Sequence, residues 1–309
     1  MRYSNNPLEG LFDFVRRHSR LFQLFAIAVL IVLLLLCGRM GSVYEAKLQP
    51  VHSVQTHSLE NAETAFPFLA PTETDRVQEI SNAAEVDLSL YPGGVEITAG
   101  GEYHLFGELN GTIRICAAEQ HVQLFLDNVK VKSPYGPAIY CQEAEKLILT
   151  LLPGTENSFT DTGDYDAAAE PEACIYSACD LTVNGSGKLT VNAYYEDAIR
   201  SRDLLKLLGG EYTIRCKRTA VHGNDGVLVS GGTYMISSEK YAFRTTKSGI
   251  DGRGNLVVCD SNMTIIAGRN AFVTTKADLY ITDSVLNQRS IVSLYDVGGE
   301  AYVQEGCVQ

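Results

Sequence analysis

From about Ala138 to Ile281 one short unit recurs, and that repeat limits the fold more than any other feature of the chain. Each unit opens with Ala–apolar–x, turns through a few polar residues and continues as apolar–x–apolar. The opening run reads Ala138-Ile139-Tyr140, Cys174-Ile175-Tyr176, Ala198-Ile199-Arg200, Ala220-Val221-His222, Ala242-Phe243-Arg244 and Ala271-Phe272-Val273. A second run keeps the same order, from Leu147-Ile148-Leu149 through Leu205-Lys206-Leu207 to Leu279-Tyr280-Ile281. A third appears as Leu189-Thr190-Val191, Tyr212-Thr213-Ile214, Tyr234-Met235-Ile236 and Met263-Thr264-Ile265, with glycine pairs before two of its members. The steps from Ala198 to Ala220 to Ala242 are 22 residues each, and the others are longer by turn insertions.

Three short strands in so few residues is the arithmetic of a β-solenoid coil. A leucine-rich repeat would carry one strand per unit, and a propeller blade needs four strands in about 40 residues. Glycine (27), frequent Thr, Val, Ile and Tyr, and few helix-forming stretches beyond the first forty residues agree with an all-β chain. Alternation predicts that Ile139, Ile175, Ile199, Val221, Phe243 and Phe272 point inward and their neighbours outward. Val122–Leu126 and Val129–Val131 supply earlier strands, and residues from about Val297 are expected to form an irregular end cover.

The outward residues after those inward ones are Tyr140, Tyr176, Arg200, His222, Arg244 and Val273. Stacked rung on rung, they would make a stripe of aromatic and cationic groups suited to sugar rings, hydroxyls and carboxylates. A solvated face without a ligand is the plain alternative. His222 has no nucleophile motif beside it, so no catalytic residue is assigned. Oxygen-rich turns could hold Ca²⁺, which takes six to eight oxygens. The residues in question are Glu196, Asp197, Asn224 and Asp225, with Asp251 and the cluster Asp161, Asp164 and Asp166 as further turn carboxylates. Turn formation by Asp with Gly explains the same residues without a metal.

The net charge of −12 and the lack of a Lys/Arg block argue against nucleic-acid binding. Seven cysteines follow Cys37, an odd number with no CxxC pair, which argues against a complete disulfide framework or a zinc site.

Leu21 to Cys37 is almost wholly apolar, and seventeen helical residues span roughly 25 Å, close to a bilayer core. Arg16, Arg17 and Arg20 precede it, which predicts a cytoplasmic N-terminus (1–20), a transmembrane helix (21–37) and an extracytoplasmic remainder. A cleaved signal peptide and a lipoprotein signal are the competing readings. Residues 38–86, with Pro50, Pro67 and Pro71, read as a flexible spacer, and 87–309 as the β-solenoid domain.

The segment from about Asp87 to Ser290 resembles the bacterial carbohydrate-binding domain-containing family, right-handed parallel β-helices similar in shape to pectate lyases. The resemblance lies in Gly136-Pro137-Ala138-Ile139-Tyr140, Leu152-Pro153-Gly154-Thr155-Glu156-Asn157 and Asp180-Leu181-Thr182-Val183-Asn184-Gly185-Ser186-Gly187. It continues in Asp197-Ala198-Ile199-Arg200-Ser201 and Gly209-Gly210-Glu211-Tyr212-Thr213-Ile214. It implies non-catalytic binding of polysaccharides such as cellulose or pectin, assisted by Ca²⁺. In the family pattern acidic residues stand before the Ala–apolar pair. Glu196-Asp197 keeps that pattern, whereas Arg218-Thr219, Lys240-Tyr241 and Arg269-Asn270 depart from it. Two other functions stay open: a pectate-type lyase acting by β-elimination, with Arg200, Arg244 or Lys247 as base, and a structural or adhesive surface protein.

Overall fold

The computed structural model describes residues 66–163, 165, 171–247 and 252–309. The segments expected to be cytoplasmic (1–20) and membrane-spanning (21–37), and the expected spacer up to residue 65, lie outside the described residues, as do Asp164, Asp166 and Asp251. The rest is a parallel β-helix. Each coil lays three strands, one on each of three walls, and each strand pairs in parallel with its counterpart one coil on.

The inward columns match the repeat. On the first wall Ile113, Ile139, Ile175, Ile199, Val221, Phe243, Phe272 and Tyr295 stack in register. On the second, Leu149, Val183, Leu207, Val229, Val258 and Ile281 do so. On the third, Phe159, Val191, Ile214, Ile236 and Ile265 follow. Nearly all are fully buried, and each large apolar side chain contributes about 1.5–3 kcal/mol. Like residues also meet like: Phe243 stacks on Phe272 at 5.3 Å, and Tyr212 on Tyr234 at 4.6 Å. Gly231 and Gly232 turn the chain into the third wall at φ of +74° and +87°. A side chain at Gly232 would meet the Gly210 carbonyl at 2.8 Å, so the tight corner needs glycine twice over.

Three expectations need correction. The alanine column (Ala138, Ala198, Ala220, Ala242 and Ala271, with Cys174) does not face outward but lies fully buried in the core. Each stands at the corner entering its strand, second in the strand or, at Ala138, just ahead of it, where strict alternation fails and a small side chain fits inside. The end of the chain is also regular: Ala301–Val303 pairs with Leu279–Ile281, and Val308 bridges to Leu286. The last residues thus continue the lap they cover.

The third correction concerns residues 66–86, which are packed rather than a free spacer. Phe66 to Val77 lies as a strap on the outer face of the second wall. Leu69 is buried with Leu204, Leu228, Val257 and Cys259, and Phe66 meets the Tyr280 ring at 4.4 Å. Asp75 is fully buried, accepting from Lys146 Nζ (3.0 Å), Lys206 Nζ (2.9 Å) and Thr182 Oγ1 (2.7 Å). Asn184 and Gln123 donate to the Val77 carbonyl. Ala84–Asp87 then pairs with Tyr103–Phe106. The strap matches the face it covers: Phe66, Phe68 and Leu69 lie on apolar residues, and Asp75 on Lys146, Thr182 and Lys206.

Among the described residues no disulfide joins the seven cysteines after Cys37, and six of them are buried. Cys141 and Cys179 come within 3.8 Å, and the hydrogen bond with the Cys179 sulfur, together with burial, pushes the Cys141 thiol far up. Alkylation of the purified full chain is expected to reach Cys116 quickly. Cys141, Cys174, Cys179, Cys216, Cys259 and Cys307 should react at least about 100-fold more slowly until the chain unfolds. Peptide mapping by mass spectrometry reads the order, and equal labelling of Cys174 and Cys116 would contradict the packing.

Candidate functional site

The outer residues of the first wall do form one column. Arg114, Tyr140, Tyr176, Arg200, His222, Arg244, Val273 and Asp296 lie in register on successive coils. At about 4.8 Å per rung, Arg114 to Arg244 spans about 24 Å along the coil axis. Arg114 and Asp296 extend the column beyond the sequence-derived stripe, because Thr112-Ile113-Arg114 and Leu294-Tyr295-Asp296 lack the small residue that opens the other units.

The column is less open than alternation suggests. Tyr176 and His222 are buried, at 3% and 4% exposure, whereas Tyr140, Arg200 and Arg244 are half-buried. The Arg114 guanidinium lies 5.2 Å from the centre of the Tyr140 ring, which meets Tyr176 edge-on at 5.7 Å. Arg244 lies over Tyr241 at 5.6 Å. The accessible parts are therefore the Tyr140 ring and the guanidinium groups.

Behind the column sits an ionic network that sequence reasoning missed. Glu172 accepts from Arg200 (3.0 Å) and Arg218 (2.6 Å). Asp197, fully buried, accepts from Arg218 Nε (2.7 Å) and Nη2 (3.1 Å), the Thr219 amide (3.0 Å) and His222 Nδ1 (2.8 Å). Burial alone would raise the Asp197 carboxyl, but bonds from His222 and Arg218 outweigh it and hold it well below the usual carboxylate range. Burial lowers His222, helped by Arg200 and Arg244. Asp197 is thus the anion and His222 neutral, so Nδ1 carries the proton. Arg218 was readable only as a break in an acidic pattern; its partner is Glu196-Asp197 one coil back.

His222 Nε2 and Arg244 Nε are both buried without a hydrogen-bond partner. An imidazole oriented by a carboxylate resembles a general base, but a base must reach the proton it takes, and Nε2 lies inside.

The four residues expected to hold calcium do not converge. Both Asp197 oxygens are taken by cationic or N–H donors, and Glu196 lies 3.3 Å from Arg218 Nε. Asp225 sits at another corner, bonded by Arg253, by Asn224 Nδ2 (3.2 Å) and within 3.3 Å of Lys247 Nζ. Among the described residues no group of three His, Cys, Asp or Glu side chains is placed to hold a metal ion. These residues do not fit the ion, because lysine and arginine already supply the positive charge.

Residues 93–296 match the family described as carbohydrate-binding domain-containing protein. A relative of that description from Acetivibrio thermocellus is 35% identical over 186 residues, 58% of this chain and 59% of that protein. The chain thus spans a little over half of that relative's length. A solved polysaccharide lyase-like protein from C. thermocellum, a gadolinium derivative, superposes with a TM-score of 0.67 at 27% identity, over 70% of this chain and 89% of the other. With the repeat, the parallel coils and a match over most of the β-helix, this chain belongs to the carbohydrate-binding domain-containing protein family.

Proposed function

We propose that this protein is a membrane-tethered, extracytoplasmic polysaccharide-binding protein, and that a polysaccharide chain of cellulose or pectin type lies along the first wall. One observation carries the reading: Arg114, Tyr140, Arg200 and Arg244 stand on one line parallel to the coil axis, their rung spacing comparable with the length of a pyranose unit. Among the described residues the strap from Phe66 to Val77 covers the second wall and not the first. The tether rests on the apolar run at 21–37.

The reading is non-catalytic. Arg200 is paired with Glu172 and Lys247 with Asp225, so two of the three bases considered for β-elimination are neutralised cations. Binding needs no calcium at Glu196, Asp197, Asn224 or Asp225.

Tyr140→Ala combined with Arg200→Ala is expected to weaken retention on insoluble cellulose or on a pectate gel by about 10–100-fold, the loss of one ring face and one charged hydrogen-bond donor. Chelator should leave retention unchanged. Sedimentation of the full chain with each polysaccharide measures both. Retention that survives the double substitution removes the stripe, and unsaturated-uronide absorbance on polygalacturonate would overturn the non-catalytic reading.

A further inference from the structure

At the corner between the first and second walls two sulfurs meet. Cys141 closes the first-wall run Ile139-Tyr140-Cys141 and pairs in register with Ser177 one coil on; Cys179 stands two residues past Ser177. The two Sγ atoms are 3.8 Å apart, with Cys141 fully buried and Cys179 7% exposed. The Ala178 amide donates to the Cys141 carbonyl at 2.9 Å, which holds the two backbones side by side. An S–S bond of about 2 Å asks the sulfurs to close by about 1.8 Å, within reach of rotation about the Cα–Cβ bonds.

The corner is fastened differently on the next coils. Cys141, Ser177, Ser201, Gly223 and Thr245 share one column. Ser177 Oγ and Ser201 Oγ both donate to the Cys179 carbonyl, at 2.9 and 2.8 Å, and the Asp203 amide donates to Ser201 Oγ at 3.0 Å. Cys141 holds the same place one coil earlier, and its side chain meets the Cys179 sulfur instead. The lap from Ile139 to Ile175 is also the longest on this wall, against 22 residues from Ile199 to Val221. A longer lap costs more entropy to close, and a cross-link over the 38 residues from Cys141 to Cys179 takes part of that cost out of folding.

We infer that Cys141 and Cys179 form a disulfide that staples this lap to the coil after it, beside Tyr140 of the outer column. The reaction is thiol–disulfide exchange with a small disulfide such as oxidised glutathione. The Cys179 thiolate attacks one sulfur of that disulfide, expels one thiolate and leaves a mixed disulfide. The Cys141 sulfur then attacks the Cys179 sulfur and expels the second. Two electrons pass from the cysteines to the small disulfide, and the two cysteine protons end on the released thiols. The hydrogen bond with Cys141 pulls the Cys179 thiol below its ordinary 9.0 while Cys141 lies far above it, which makes Cys179 the attacking sulfur. Burial closes both sulfurs to an oxidant in the finished fold, so the bond forms while the coils assemble. It needs no sugar site; of the proposed function it uses only the extracytoplasmic location, where disulfides persist.

The test starts from the full chain in detergent, reduced and unfolded in guanidinium chloride, then refolded by dilution with or without oxidised glutathione. Free thiols are blocked with iodoacetamide after renewed unfolding, and non-reducing peptide mapping by mass spectrometry reads which cysteines are joined. A peptide pair joining Cys141 to Cys179 is expected in most molecules refolded with oxidised glutathione. Cys116, Cys174, Cys216, Cys259 and Cys307 should carry the block. In the reduced chain both corner thiols are blocked once the fold is lost. The linked protein should melt about 5–10 °C above the reduced one. Cys141→Ser, which supplies the residue the next coil carries, should fold and show no such difference. Cys141 and Cys179 blocked after refolding with oxidised glutathione, or joined to other cysteines, overturn the disulfide. A linked protein that melts with the reduced one overturns the staple. Neither readout involves sugar, so a failure here leaves the polysaccharide reading standing, and failure of that reading leaves the bond.

Discussion

Asp75→Ala is expected to lower the stability of the β-helix by about 3–5 kcal/mol, the cost of breaking a buried ion pair from one side. The substitution leaves two ammonium groups, on Lys146 and Lys206, under the strap with no carboxylate between them; their side chains are 9% and 4% exposed. It also removes an acceptor from Thr182 and from the Thr72 amide, 2.7 and 2.8 Å away. Chemical unfolding of the full chain, followed by far-ultraviolet circular dichroism, measures the change. Combining Asp75→Ala with Lys206→Met should recover part of the loss, because the second change removes one of the stranded charges. A loss below about 1 kcal/mol would mean that the strap is only lightly held.

Asp197→Ala should cost a similar amount, about 3–5 kcal/mol, at the opposite side of the coil. It strands Arg218, unpairs the Thr219 amide and leaves both ring nitrogens of His222 without a protein partner. Glu172 would still neutralise part of the Arg218 charge, so this loss should be the smaller of the two. Asp197→Asn keeps the shape but replaces one acceptor by a donor facing a cation, and should recover little. Asp197→Asn with parent stability would refute the charge assignment.

The same groups fix a pH dependence. For Asp75, burial opposes ionisation, but bonds from Thr182, Lys206 and Thr72 win and hold the carboxyl well below its ordinary 3.8. Asp197 behaves alike. A depressed carboxyl contributes stability that is complete above its unfolded value and is lost as pH falls through and below it. His222 is depressed below 6.5 by burial, so its neutral form is favoured on folding and its contribution declines as pH drops under 6.5. His104 acts in the opposite sense: Glu85 and Asp127 overcome its burial and raise it, and its stability is lost as pH rises. A thermal melt of His222→Gln beside the parent isolates the His222 term. The parent's advantage or deficit relative to the variant should shift toward lower stability between pH 7 and 5.5. A constant difference would contradict a neutral, buried His222.

The parallel coil, its inward columns and the order of the outer stripe could be read from the chain alone. The reason is that a solenoid contact always joins a residue to its equivalent one period away. Stacking Ile175 on Ile199 needs only that both occupy the same place in the unit, and spacing records that. What the repeat cannot record is contact between residues that are not equivalent. Asp75 reaches Lys206 across 131 residues, and no periodicity marks it. The strap therefore read as a spacer. Asp197 seemed a metal ligand because its turn is rich in oxygen; only folding brings Arg218 and His222 onto those oxygens. Alternation likewise assigned the alanine column to solvent, since it assumes straight strands, and these begin at corners. Sequence by itself determined the wall on which the residues of the recurring unit stand. Tertiary structure decided that the strap covers the second wall, because covering a wall depends on desolvation and charge pairing between segments far apart in the chain.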